Sequence, residues 1–530
     1  MTDEGSEGGT SAGGARRRRG RGSARAAMHA RRARPPAFNP AASGQRGGRY
    51  RPLDEAGCRR IYAEALRVLD EIGMGEVPEA FAERACERGA VRRDGGRLSF
   101  PRPFVEDVVA NAAKGFTLHG RDPRHDIEVG GDRVHFGTGG AAVQTLDLDT
   151  HRYRASTLAD LHDFAALADA LTNVGWFARC CIATDIEDAL ELDLNTAYAL
   201  LVGTSKPVGT SFTLGAHVDP VIDMFDLALG GKGRFAERPF CTAHVSPVIS
   251  PLRYGEDAVE VILACIRRGV PINAIVAAQS GATAAASMAG MLVQTLAETL
   301  AALILVNVFA PGHPTIFSNW PFVVDLRTGS FSGGGGEAAL LNAAGAQLGN
   351  WLGLPTGAAC SMSDSKAVDA QMGAEKALTA LAAGLAGANM LYESSGMMAS
   401  LLGASFEAFV VDDETLGHVN RVLRGVEIDD ELLGFEAIRT AVLGDGHFLG
   451  AEHTLAAMER DYFYPTLADR DPPSVWEEGG AHDMWTRANA RARELLARER
   501  PVHLDPAADR IIRERFGVRP APSAVSPRDS

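Results

Sequence analysis

Ser361, Ser363, Asp364, Ser365 and Lys366 crowd one short stretch of this chain, directly after the small residues Gly357 to Cys360, and an amphipathic pattern resumes at Ala367. Hydroxyls, a carboxylate and an ammonium in one turn can hold or move charge. A polar knot where a β-like run ends and a helix begins is also where an α/β barrel places its chemistry. Polar residues close other apolar runs in the same way: Thr184 and Asp185, Thr213, His244 and Ser246, Gln279 and Ser280, Asn319, and Glu393. Each one alone reads equally well as a helix cap or a loop hydrogen bond. Their recurrence after successive runs is what marks a common mouth. Trp176, Phe177, Phe212, Phe317, Trp320, Phe322 and Tyr392 fall near the same level. Electron-rich ring faces could cage a cation, with core packing as the alternative. Asn319-Trp320-Pro321 is the most suggestive trio, because a Trp beside a Pro in a loop has no routine core role.

These residues need a frame that brings strand ends together. Eight strand candidates supply it: 134–139, 174–183, 206–212, 239–245, 271–278, 314–319, 356–361 and 386–393, most of them followed by a helical pattern. Several runs are continuously apolar, as strands buried on both faces must be. Eight alternations predict a TIM (β/α)8 barrel over 134–425, of α/β class, with N-terminal and C-terminal helical additions. An open doubly wound sheet is the competitor, but no GxGxxG opens a helix after the first strand, and Gly333 to Gly336 reads as a flexible loop. Residues 50–133 read as a helical and β-rich entry, in which Ile61, Ala65, Leu66, Leu69 and Ile72 share one apolar face. Residues 426–500 read as a helical segment packing on the barrel, and 501–530 as a tail.

Composition narrows the class of protein. With 530 residues, 46% hydrophobic and 23% charged, the chain can bury a large core. Residues 1–49, rich in Gly, Ala, Ser and Arg, read as a disordered tail carrying near +8, which leaves the remainder near −22 against a total of −14. No aromatic residues interleave with those arginines, which argues against a nucleic-acid partner. Gln294, Glu298 and Asn307 interrupt the best membrane-span candidate, 284–310, so it reads as a core helix. Seven scattered cysteines without a CxxC, and no apolar leader, suit a reducing cytoplasm. His447 and His453 stand six apart, so they do not stack on a helix as metal ligands four apart would, and no metal site is expected. No GxSxG elbow and no P-loop is present.

Several longer motifs carry a resemblance. They are GGRYRPL (47–53), TSKPVG (204–209), ISPLRYG (249–255), QSGATAAASMAGMLVQTLAET (279–299), DLRTG (325–329), GLPTGAACSMSDSKAVDAQMGAEK (353–376), GHFLGAEHTL (446–455) and YPTLADR (464–470). From about Tyr50 to Arg498 the chain resembles the trimethylamine methyltransferase family. The resemblance implies an α/β barrel that moves a methyl group from an amine to the cobalt of a corrinoid. That corrinoid (cobalamin) is supplied by a separate cognate corrinoid protein, with no cofactor tightly bound here.

Founding members of that family insert pyrrolysine in the segment resembling this SDSK turn, at or next to Met362, and this chain has none. A neutral tertiary amine is a poor leaving group unless it is captured first, whereas a quaternary ammonium leaves as a neutral amine. The expected substrate is therefore a small quaternary amine of the glycine betaine, proline betaine or carnitine type. A tertiary amine or sulfonium donor, a folate acceptor, and a non-catalytic betaine-binding barrel are the alternatives. On this reading Asp364 and Glu393 balance the ammonium. Trp320, Phe317 and Tyr392 cage it, and Asn319, Gln279 and His244 hold a carboxylate or water. Asp364 reads equally as a cap for the helix from about Ala367. An acidic barrel with large apolar helices is also compatible with a homo-oligomer.

Overall fold

In the computed structural model, which describes residues 39–521, eight parallel strands form a closed ring. They are β1 (Arg133–Phe136), β2 (Phe177–Ala178), β3 (Val208–Thr210), β4 (Cys241–Val245), β5 (Ile272–Val276), β6 (Thr315–Asn319), β7 (Thr356–Ala359) and β8 (Met390–Tyr392). Seven fall inside the expected runs, and β1 starts one residue before its run of 134–139. Registers such as Val208↔Cys241, Ile272↔Thr315 and Gly357↔Met390 carry the ladder round to Met390↔His135. The bridge Gly137↔Trp176 joins β1 to β2 and closes the ring.

One helix follows each strand: α1 (Leu158–Ala170), α2 (Ala189–Gly203), α3 (Val218–Ala228), α4 (Glu256–Arg268), α5 (Met288–Phe309), α6 (Gly336–Trp351), α7 (Ala370–Ala386) and α8 (Phe406–Arg424). Local chemistry sets their starts. Thr157 and Asp160 form a capping box on α1, and Asp188, Ser287, Asp369 and Ser405 cap α2, α5, α7 and α8. Small residues let α6 and α7 lie close on the sheet: Ala343, Ala346, Ala380 and Ala383 pack with Val134, Phe136, Ala358 and Leu391.

The helix α5 is long and apolar enough to cross a membrane, yet it is mostly buried within the protein. Its polar residues bond internally. Gln294 donates to Thr283 O at 2.8 Å, Glu298 accepts from Ser250 Oγ at 2.6 Å and Leu252 N at 2.9 Å, and Asn307 donates to Leu303 O at 3.0 Å. The expected entry helix is Glu55–Arg67, with Ile61, Ala65, Leu66 and Leu69 buried, but Ile72 is 49% exposed. The chain turns into a short π-helix over Val68–Ile72, which shifts that last residue off the face.

Three boundaries differ from those expected. The expected tail lies largely outside the described residues, but Gln45–Arg46 pairs antiparallel with β1. The segment 426–500 divides: residues 39–40 and 426–465 form one compact unit, holding helices Phe435–Leu443 and Glu452–Arg460. Residues 466–521 belong with the barrel, where Trp485 and Asn489 of helix Met484–Leu496 donate to Glu407. Beyond residue 500, helix Pro506–Phe516 packs on α3 and reaches α2 through Asp509, which accepts from Tyr198 Oη at 2.6 Å.

Candidate active site

Along β5 the lumen-facing positions alternate, and they open towards the C-terminal end of the barrel. Asn273 is fully buried, Ile275 is 9% exposed and Ala277 is exposed. That graded opening puts the mouth where an α/β barrel carries its active site. Tyr392, the last residue of β8, is the centre of an aromatic cluster just inside it. Its ring centroid lies 4.5 Å from that of Trp176, 5.1 Å from His244 and 5.2 Å from Trp320. Phe322 extends the group 6.1 Å from Trp320 and meets Phe331 edge-on at 4.9 Å.

Close backbone approach makes room for these rings. A Cβ at Gly209 would stand 2.4 Å from His244 Nε2, and one at Gly137 would penetrate the Trp176 indole. Glycine is the residue that fits both places.

Glu393 follows Tyr392 in a left-handed conformation, φ 64°. Its carboxyl lies against the glycine bend after β1, where a Cβ at Gly140 would be 2.7 Å from Oε2. Burial pushes its pKa up to about 8, partly opposed by the charge of Lys376, so at neutral pH it is largely protonated. His244 is displaced the other way. Burial, aided by the charge of Arg179, takes its pKa down to about 3 and keeps the imidazole neutral.

Tyr392 Oη, His244 Nε2, Trp320 Nε1 and Glu393 Oε2 are all buried and without hydrogen-bond partners. Buried polar atoms are normally satisfied, so four orphans around one aromatic cluster mark a place prepared for a ligand. Behind them, Lys376 donates to Ser361 O at 2.7 Å and pairs with Asp412 at 2.9 Å, and Asp412 accepts from Gly396 N at 2.7 Å. This buried pair ties the turn after β7 to the loop after β8. Ser361 is itself held left-handed, φ 56°.

The expected residues divide. Glu393, Tyr392, Trp320 and His244 converge, and Met362 is buried at the turn after β7, beneath Gly333. Gln279 is half-buried at the mouth after β5. Asp364 is diverted to structure: it accepts from Gly333 N at 3.1 Å, Gly334 N at 3.5 Å and Ser400 Oγ at 2.9 Å, so it pins the glycine loop between β6 and α6. It is no helix cap either, since Asp369 occupies that position.

Phe317 and Asn319 lie on the helix side of β6. Phe317 Cδ1 would be 3.3 Å from a Cβ at Gly349, and Asn319 Nδ2 3.6 Å from one at Gly345, both glycines of α6. The lumen position between them is Ser318, which donates to Asn273. Thr184, Asp185 and Thr213 bond to Ser156 O, Leu158 N and Asp193, as ordinary loop and cap residues do.

One aromatic candidate, Trp176, proves more central than the sequence placed it, and one residue, Arg179, escapes the expected set altogether. Trp176 is fully buried against Tyr392. Arg179 carries a guanidinium into an otherwise apolar run, and that single charge is the signal that could have found it.

A family model described as "Trimethylamine methyltransferase (MTTB)" matches residues 16–520. The chain belongs to the trimethylamine methyltransferase family. A glycine betaine methyltransferase of Desulfitobacterium hafniense (strain Y51) is 32% identical over 470 residues, covering 88% of this chain and 96% of that protein. The trimethylamine methyltransferase MttB of D. hafniense (strain DSM 10664 / DCB-2) is 30% identical, covering 84% and 89%. Among solved structures, the monomethylamine methyltransferase MtmB of Methanosarcina barkeri superposes with a TM-score of 0.43 at 15% identity, covering 86% of this chain and 95% of that one.

Several segments that carry the family likeness hold the scaffold. In TSKPVG, Lys206 Nζ donates to Ala168 O and Leu171 O at 2.6 Å and to Val174 O at 2.7 Å, closing the C-terminal end of α1. In ISPLRYG, Ser250 and Leu252 bond to Glu298. Residues 445–450, DGHFLG, also have the DxHxxG spacing found in corrinoid-binding proteins, which is easily passed over in the sequence. It lies in the turn between helices Phe435–Leu443 and Glu452–Arg460, in a unit whose described residues contain no strand.

Proposed function

We propose that this protein moves a methyl group from a quaternary amine to the cobalt of a corrinoid carried by a separate protein that docks at the barrel mouth. The observation that carries this reading is the aromatic cluster of Trp176, Trp320 and Tyr392 beside the orphaned carboxyl of Glu393. Ring faces and a single ionisable carboxyl suit a cation that cannot donate hydrogen bonds. An incoming ammonium would favour the ionised form of Glu393 and complete the charge balance. The DGHFLG turn is set between two helices in a unit whose described residues form no strand, so they supply no sheet on which to build a corrinoid domain, which supports an acceptor on a partner. Met362, at or next to the position where founding members of the family carry pyrrolysine, has no electrophile with which to capture a lone pair, and a quaternary nitrogen has no lone pair to capture.

When docked, the corrinoid supplies a cobalt(I) nucleophile. The protein's part is alignment and exclusion of water. The rings hold the trimethylammonium head with one methyl towards the mouth. The C–N electron pair stays on nitrogen, so the amine leaves uncharged and no general acid is needed. Glu393 stabilises the cationic ground state less tightly as charge leaves nitrogen, and the neutral His244 adds no competing positive charge.

The test combines purified protein, a reduced corrinoid and a panel of betaines, with methylation followed by absorbance. Methyl transfer from at least one quaternary amine is expected, and none from any of them would overturn the reading. The pH profile adds a check. kcat/KM reports ionisations of the free enzyme, so with a permanently charged substrate it should rise with pH up to about 8 as Glu393 loses its proton, and then level off. Glu393→Gln should remove that limb.

A further inference from the structure

We propose that Arg179 anchors a carboxylate, so that the site takes zwitterions in which a quaternary ammonium and a carboxylate are joined by a short linker. This rests on the quaternary-amine reading above. Arg179 comes directly after β2, and its backbone N–H donates to Gly209 O at 3.2 Å, which fixes it at mouth level beside β3. The side chain lies in the packed interior yet keeps some accessible surface, as His244 does. Nε is inaccessible and without a partner, and no ion pair or side-chain hydrogen bond to the guanidinium is formed among the described residues.

Asp193 on α2, the carboxylate whose charge Arg179 feels, is committed elsewhere. It accepts from Thr213 N at 2.7 Å, Thr213 Oγ1 at 2.9 Å and His217 Nδ1 at 2.7 Å. A buried guanidinium is normally paired, because its desolvation is otherwise uncompensated. Here the fold leaves it open, close enough for its charge to act on His244, whose Nε2 is likewise without a partner, and an incoming carboxylate could meet both.

The opposite pole is Glu393. The strand order β8-β1-β2 puts it two strands from Arg179, roughly 10 Å round the ring at ordinary strand spacing. Trp176 and Tyr392 lie between these two positions. A trimethylammonium head over the rings and a carboxylate one to a few carbons away fit that span. A simple tetraalkylammonium would satisfy only the Glu393 end.

The experiment compares trimethylammonioacetate with tetramethylammonium and choline on the full chain, using tryptophan fluorescence for affinity and methylation of a reduced corrinoid for turnover. Wild type should prefer the carboxylate by about 30-fold or more. Arg179→Met should weaken trimethylammonioacetate by about 100-fold, and Arg179→Lys by about tenfold, with KM rising far more than kcat falls. Tetramethylammonium affinity should change by less than about twofold. Wild type that uses choline as well as the carboxylate overturns the anchor without any variant having to fold. So does a loss in Arg179→Lys that is equal for both ligands. Either result leaves the quaternary-amine reading standing. Failure of wild type to bind or demethylate any of the three would instead remove the reading on which the anchor rests.

Discussion

The two ends of the barrel treat buried polar groups in opposite ways. At the N-terminal ends of the strands most of the prominent ones are answered, with Thr242 Oγ1 on β4 and Asn273 Nδ2 on β5 as the exceptions among the described residues. Lys206 has three carbonyls, and Asn389 bridges Arg133 O at 2.8 Å and Thr356 N at 2.8 Å. His313, just before β6, bonds to Val270 O just before β5. At the C-terminal ends Tyr392, His244, Trp320, Glu393 and Arg179 all hold atoms with no partner. Both ends have the same strands and the same helices around them. An unmet hydrogen bond is therefore no failure of packing at the mouth; it records chemistry reserved for something that arrives later.

The comparison can be broken most severely from below. Lys206→Met removes the donor to three buried carbonyls at once and should cost about 3 kcal/mol or more. Denaturant unfolding would read the loss, while activity per folded molecule should be little changed. Asn389→Ala, which unties β1 from β7, should cost about 2 kcal/mol with the same sparing of activity.

At the mouth the sign reverses. The pKa of Glu393 in the folded protein, about 8, lies above its ordinary 4.5. Between those values the folded chain keeps a proton that the unfolded chain has lost, so stability falls as pH rises through that window. Glu393→Gln should therefore raise the melting temperature, by more at pH 8 than at pH 5 and by on the order of 1–2 kcal/mol at most, while lowering methyl transfer. The smallest effect on folding belongs to Tyr392→Phe. Removing an orphaned hydroxyl should shift stability by less than about 1 kcal/mol, and a measurable rise in KM would separate a ligand contact from a spectator. Equal losses of stability at both ends would dissolve the contrast.

The barrel was legible because β3 to β8 are short apolar runs with polar ends, and a strand buried on both faces leaves that trace. The phase of a strand was not. Phe317 and Asn319 have the composition of a binding site, but a single residue of offset places Ser318 in the lumen and turns both towards α6. Asp364 misleads for a different reason. Its partners Gly333 and Gly334 come from a loop about thirty residues upstream, and no local pattern shows that their amides need an acceptor. Arg179 was hidden by its neighbours, since a run as apolar as VGWFARCCIA reads as a strand and the charge within it as an irregularity. Glu393 and Tyr392 were found because a carboxylate that ends a buried strand has few structural uses.

The joint between β1 and β2 has one further consequence. Only two residues of β2 enter the ladder, and the ring is fastened there by two isolated bridges, Gly137↔Trp176 and Ala142↔Cys181, while Gln45–Arg46 lines the lower edge of β1. The protein is thus a hoop with a clasp, and the clasp includes one wall of the aromatic cluster. In a hydrogen-exchange experiment the amides of Gly175 and Ala142, which donate to Phe136 O and Cys180 O across this joint, should be the first of the ring to take up deuterium. A ligand held against Trp176 would slow them, because it locks the same fastening that thermal motion opens.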